Sequence, residues 1–512
     1  MKFIKTIIAS LGLGLLVQLV PSAYGFALLG PFAPWMQASN GVYYPYDIGG
    51  PMDIGSGYRW NVPVITYGFD KSFLDYFGSN GVTAVESAIK TLNNLPPAAQ
   101  LEPTNYPIIT EQWNYAAQVQ GINDLKSQTL SLLLEQLGLT HPSSSIYVMK
   151  QWTPNFYDPY SYPDYSPQDY WSSWAIPDYI VMRNFDPESL IASTYINNTL
   201  YYANIWTSIN RHFVLTYPAD PFSTGAYSAV AEGGYITYIL GAGGFYTGLT
   251  YDDVGGLRYQ LSAANVNYEK LLPDVYNSTL HKRGVNGAWR PGVEKITFAR
   301  QKNGGWPDGF RPFGYRYADA YFTNNVLKQQ EVARYTFKPD ILFCAADNAE
   351  SSTDIDFPWV IRTGTTRWLN NAAANGNTNG EGPGVIQPPI KITFHKLGAI
   401  AVTDDSGYAG FNNQGWGTIA DQTNCFLLSP FIANTNNHPL AIKFYFLTTG
   451  MVPITNELWS VKTPVGGQAA LQISTDKINW NTLITVTNAG AVVEWWHEGT
   501  NIPPKFFRAI PQ

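Results

Sequence analysis

Charge, cysteine and histidine are what this chain has least of. Only 13% of its 512 residues are charged, acidic side chains outnumber basic ones by 38 to 31, and the formal net charge is -7. That balance supplies no basic field to hold a phosphate backbone, so a nucleic-acid partner is excluded. Cysteine occurs only as Cys344 and Cys425, which rules out a Cys-rich zinc module. The two either form one disulfide, which an oxidising compartment permits, or stay apart as buried, reduced thiols. Beyond the first residues no stretch has the length and apolarity of a membrane-spanning helix, and there is no nucleophile elbow, phosphate-binding loop or dinucleotide fingerprint.

What is present begins with a leader. Met1-Lys2-Phe3-Ile4-Lys5 is a short basic start, Ile7 to Val20 is apolar, and Pro21-Ser22-Ala23-Tyr24-Gly25 ends it with small residues. These are the parts of a secretory signal peptide, with cleavage expected after Gly25. The mature chain is then expected to be secreted, in a periplasmic or extracellular setting, without a transmembrane segment. Its aromatic content of 15%, with 34 Tyr and 16 Trp among plentiful Gly and Pro, favours strands and structured loops. The length suggests roughly three domains.

Periodicity places the first elements. Val62 to Phe69 reads as a strand, and Pro63 near its start suits a sheet edge. Val82, Val85, Ala88, Ile89, Leu92 and Leu95 recur at helical spacing after the capping residues Ser79-Asn80-Gly81, and Pro96-Pro97 stops them. A second helix runs from about Asp124 to Leu139, apolar on more than one face and therefore largely buried. Gly241-Ala242-Gly243-Gly244 makes a turn, and Thr250 caps a short helix carrying Asp253, Val254, Leu257 and Leu261. Beyond Ala263 strands dominate, among them Glu294 to Phe298 and Ile390 to Phe394. Leu440 to Leu447, Ala469 to Ser474, Leu483 to Thr487 and Val492 to Trp496 are spaced like a small sandwich.

Within the second helix, Ser131-Leu132-Leu133-Leu134-Glu135-Gln136-Leu137-Gly138-Leu139-Thr140-His141 resembles the zinc helix of metzincin metalloproteases, the matrixins in particular. That family carries H-E-x-x-H-x-x-G-x-x-H, with two His on one helical face, a Glu that activates water, and a third His after a glycine turn. Gly138 and His141 match the last two positions, and Leu137 and Leu139 flank the glycine as in the family. The Val62 to Phe69 strand, the helix after it, and Gly248-Leu249-Thr250-Tyr251-Asp252-Asp253-Val254-Gly255-Gly256-Leu257 are similar to the family's entry strand, first helix and final helix. The departures govern the chemistry. Ser131 stands for the first His, Leu132 for the general base and Glu135 for the second His, so the resemblance implies a scaffold whose metal grip is reduced to His141 and Glu135 and whose base is gone.

The remaining candidates are weaker. His141 by itself reads as a surface or loop histidine. His497-Glu498 has Asn501 where a second zinc His would stand and lies in a strand-and-turn context. Acidic pairs at Asp252-Asp253, Asp354 with Asp356, and Asp404-Asp405 read as turns or caps, none with a complete calcium ligand series. Asn197-Asn198-Thr199 and Asn277-Ser278-Thr279 fit the N-glycosylation pattern. From Tyr147 to Tyr179 rings crowd among Pro, Asp and Ser. Tyr157, Tyr160, Tyr165, Trp171 and Trp174 either pack this stretch against the rest of the chain or present faces to a glycan or protein.

The expected organisation is α+β: a leader over 1–25, a metzincin-like domain over 26–265 with a long aromatic insertion at about 147–245, a β-rich middle region over 266–384 ending in a Gly/Asn-rich linker, and a β-sandwich-like region over 385–512. The terminal segment resembles modules appended to secreted bacterial proteins. The expected function is that of a pseudoenzyme scaffold, non-catalytic and without cofactor, binding an extracellular protein or glycan. The alternatives are an atypical metalloprotease holding zinc, or a calcium site, and a carbohydrate-binding protein using the aromatic insertion.

Overall fold

Ile65, Tyr67 and Phe69 lie on one side of an extended segment and Thr66 on the other, and all four are buried, so the Val64–Phe69 strand needs cover on both faces and a neighbour on each edge. The computed structural model supplies both. Thr297–Arg300 and Ile341–Ala346 flank the strand in parallel, Ile390–His395 continues the sheet in parallel, and Arg362–Gly364 closes it antiparallel. The strand is thus central and not the expected edge. Pro63 precedes the ladder and contributes only its carbonyl, which accepts from the Thr297 amide, so its missing N–H costs nothing there. The structure describes residues 24–30, 50–150, 179–208, 211–219, 240–277, 284–304, 309–346, 362–364, 367–370, 384–396, 399–403, 409–413, 415–428, 439–447, 453–462, 468–474, 479–487, 493–498 and 506–511.

One face of this central sheet is covered by the Lys71–Asn93 helix. Asp70 caps it, its carboxylate accepting from the Phe73 amide, so the helix starts well before the expected Ser79-Asn80-Gly81. That tripeptide follows a kink at Gly78, where φ is 60°, a value glycine adopts without penalty. Phe73 and Phe77 meet Phe69, Phe343 and Phe394 at ring separations of 4.9–6.4 Å. Each such buried ring contributes on the order of 1.5–3 kcal/mol.

The leucine-rich helix is Leu125–Gln136, with Leu130, Leu133 and Leu134 fully buried in the same core. Asp124 caps it through the Ser127 amide and also accepts from the Ile419 amide at 2.9 Å. The short strand before it, Ile122–Asp124, pairs in parallel with Gly415–Ile419. A smaller sheet is built on Phe26–Gly30, which pairs with Gly50–Met52, Leu139–Thr140 and Asn184–Phe185.

A third, fully antiparallel sheet runs Asn267–Lys270, Gly287–Arg290, Phe313–Thr323, Val326–Thr336, Val275–Asn277. Its long hairpin turns at Asn324-Asn325, both at positive φ as a two-residue type I′ turn needs. Its inner face buries Arg290 with Asp319, and Arg334 with Asp340 and Asp274, each guanidinium met by carboxylates. Arg59 meets Glu269 below the same face.

The chain is mixed α+β, as expected, but the strands do not respect the expected divisions after 265 and 384. The central sheet takes strands from all three segments, and Gly415–Ile419 is tied to the start of the leucine-rich helix. Parallel neighbours need crossovers, and here those crossovers are long stretches of chain. The insertion also contains regular structure, an antiparallel pair of Thr199–Ser208 with Arg211–Pro218. Near the C-terminus the expected strands are present, joined by Pro453–Lys462 and Phe506–Pro511, in two sheets of three.

Cys344 and Cys425 are free. Cys344 sits inside the central sheet opposite Thr393, and Cys425 pairs with Ile419 in another sheet, so the possible disulfide is not formed. Burial and the neighbouring Asp70 push the Cys344 thiol far above its ordinary range, which leaves it inert. Among the described residues no helix is long and apolar enough to cross a membrane.

Candidate functional site: a closed turn and an open sheet face

The leucine-rich helix ends where the resemblance placed its glycine. Gly138 has φ +95°, and a Cβ there would stand 2.0 Å from the Tyr58 carbonyl oxygen. Only glycine fits both demands. The turn is held on every side: the Leu29 amide and the Gln260 carboxamide donate to the Gly138 carbonyl, and the Trp60 indole donates to Gln136 O at 2.7 Å. Leu137 and Leu139 are buried, and Leu139–Thr140 leaves the turn as a strand beside Phe26–Gly30.

This path carries His141 back over the helix. His141 Nε2 lies 2.9 Å from Glu135 Oε1, with the two side chains 6% and 14% exposed. His141 is therefore buried and held, not the surface or loop histidine its isolation suggested. The structure does bring together the two positions named as a residual metal grip. It adds no third: among the described residues no group of three His, Cys, Asp or Glu side chains is placed to hold a metal ion. Leu132, at the place of the family's base, is buried and has nothing to accept a proton.

The final helix, Tyr251–Leu261, has the expected start: the Thr250 hydroxyl and the Asp253 carboxylate each bond the other's amide. Asp252 is not a solvated turn residue but is 1% exposed, accepting from the Gly25 and Asn197 amides. Burial, with Asp253 and Asp186 nearby, pushes its carboxyl well above the usual range. Asn197, offered above as a glycosylation acceptor, is buried at a positive-φ turn and has no room for a glycan. His497-Glu498 lies in the Val493–Glu498 strand, where no helical zinc pair can form. Tyr157, Tyr160, Tyr165, Trp171 and Trp174 lie outside the described residues, as do Asp354, Asp356, Asp404 and Asp405.

A surface no motif pointed to is the outer face of the antiparallel sheet. Tyr268 stands opposite Trp289, Trp289 opposite Phe322 and Phe322 opposite Leu327, so one row crosses four strands on one face. Tyr268 meets Trp289 edge to face at 5.8 Å. Trp289 is 47% exposed and Leu327 54%. On the same face Tyr276 and Tyr335 are exposed, and a Cβ at Gly314 would stand 2.6 Å from the Tyr335 ring, which lies over it. Arg316 and Glu331 add a polar, exposed pair. The sequence signal was available as Tyr, Trp and Phe in outward register, but pairing partners far apart in the chain had to be known to see it.

Comparison with protein-family models, with characterised proteins and with solved structures finds no match for this chain.

Proposed function

We propose that this is an exported, non-catalytic protein that acts by binding, built around a metzincin-like scaffold that has lost its metal chemistry and ending in a sandwich-like β module. The observation that carries the reading is the contact of His141 with Glu135 beside Leu132: the residues left at the metal positions engage each other, and the base position is apolar. The scaffold reading is supported by the positive-φ Gly138 turn and the capped Asp252-Asp253 helix, features of local geometry and not of overall likeness. Binding is best supported at the row of Tyr268, Trp289, Phe322 and Leu327, where Trp289 and Leu327 are exposed between half-buried rings on one sheet face, since aromatic rings so placed offer large contact area to a glycan or an extracellular protein at small entropic cost.

The test is metal analysis of the purified protein together with a peptide-cleavage assay with and without chelator. The expected outcome is neither stoichiometric zinc nor cleavage. Zinc that is lost in His141→Ala, with chelator-sensitive cleavage, would restore the metalloprotease alternative.

A further inference from the structure

Tyr24 and Gly25, at the end of the leader-like segment, are packed into the folded core. Gly25 is buried, and its amide donates to Asp252 Oδ1 at 2.9 Å. Asp252, the second residue of the final helix, is 1% exposed and also accepts from the Asn197 amide at 2.5 Å. With Asp253 and Asp186 nearby, a buried carboxylate depends on such donors. Tyr24 stacks on Tyr251, the first residue of that helix, with ring centroids 3.8 Å apart and planes 20° from parallel. The two residues thus close over the start of the final helix, one with its ring and the other with its amide.

Gly25 also fills a slot that admits no side chain. A Cβ there would stand 2.1 Å from Asn184 Nδ2 and 2.6 Å from the Tyr195 carbonyl oxygen. Neither gives way freely, because Asn184 is fully buried and its Nδ2 donates to the carbonyls of Ser193 and Tyr195. A residue whose only task was to stand before a leader cut would meet no such demand, since alanine serves there as well as glycine. Directly after Gly25 comes the Phe26–Gly30 strand, paired with three others, one of them leaving the Gly138 turn.

We infer that the leader is removed at the Ala23–Tyr24 peptide bond, and that Tyr24 and Gly25 stay with the mature chain as a clasp on the Tyr251–Leu261 helix. This rests on the export reading above. Hydrolysis there consumes one water and leaves a carboxylate on Ala23 and an α-amine on Tyr24. Ala23-Tyr24-Gly25 has the small-x-small form that suggested a cut after Gly25, but that cut would discard the nitrogen from which Asp252 accepts and uncover Tyr251. A cut between Tyr24 and Gly25 would place a bulky ring where the processing enzyme takes a small side chain. Ala23 is the nearest small residue before that ring.

N-terminal sequencing of the exported protein is expected to begin at Tyr24. A start anywhere else overturns the assigned cut: a start at Phe26 leaves export standing, whereas a chain still beginning at Met1 sinks export with it. Gly25→Ala supplies the second test. If Gly25 left with the leader, the exported variant would be the same molecule as the wild type. As part of the clasp, the added methyl group should lower the melting temperature by several degrees, and an unchanged melting curve overturns the clasp. Should that variant fail to accumulate, wild-type chains released from a fusion partner to begin at Tyr24 and at Phe26 decide. The first should melt several degrees above the second, and equal melting overturns the clasp.

Discussion

The Gly138 turn and the outer face of the antiparallel sheet are opposites in construction. At the turn, side chains and backbone are matched to one another: Gly138 fills its space, Trp60 and Gln260 bond the carbonyls, and His141 is occupied by Glu135. On the sheet face Trp289, Leu327 and Tyr335 stand about half exposed, at hydrophobic cost. A region that satisfies itself is built for stability, and one that leaves large rings in water is available for contact. The part of the sequence that looks most like an enzyme is on the first side of that division.

Substitutions should separate the two regions by what they change. The largest effect is expected for Gly138→Ala, which places a methyl group 2.0 Å from a backbone oxygen at φ +95°. It should cost at least about 2–4 kcal/mol in denaturant unfolding or prevent folding, and a loss under ~1 kcal/mol would show the turn to be looser than described. His141→Ala comes next. It leaves Glu135 without its 2.9 Å partner and should cost about 1–3 kcal/mol, measured in the same way. Trp289→Ala should shift stability by only ~0.5 kcal/mol, as exposed positions do, while reducing retention on whichever glycan or extracellular protein a binding screen identifies. Retention unchanged in Trp289→Ala would move the contact surface elsewhere.

Local rules made the beginnings of elements legible. Thr250 before Asp253 announced a cap that is found in place, because capping is a matter of residues three apart, while Asp124, read as about the first residue of the leucine-rich helix, proves to be its cap. The first helix was read too short because Ser79-Asn80-Gly81 look like a capped start, and tertiary burial of Phe73 and Phe77 extends the helix ahead of them, back to Asp70. Pro63 suggested an edge because the rule concerns N–H groups inside a ladder, and here the ladder begins one residue later. The contact of Glu135 with His141 was visible only as spacing, since whether His141 turns inward depends on the path beyond Gly138. The sheet that joins distant segments left no local trace at all, as parallel pairing carries no turn signature.

That sheet bears on how the molecule can be made. Val64–Phe69 receives one neighbour from near residue 300 and the other from 341–346, and the latter is itself covered by 390–395. A nascent chain emerging from its N-terminus must therefore carry a naked apolar strand until most of its length has followed, a topology with slow closure and an edge open to wrong partners. A fragment stopped at residue 265 would lack both neighbours of that strand and should aggregate instead of folding as an independent unit.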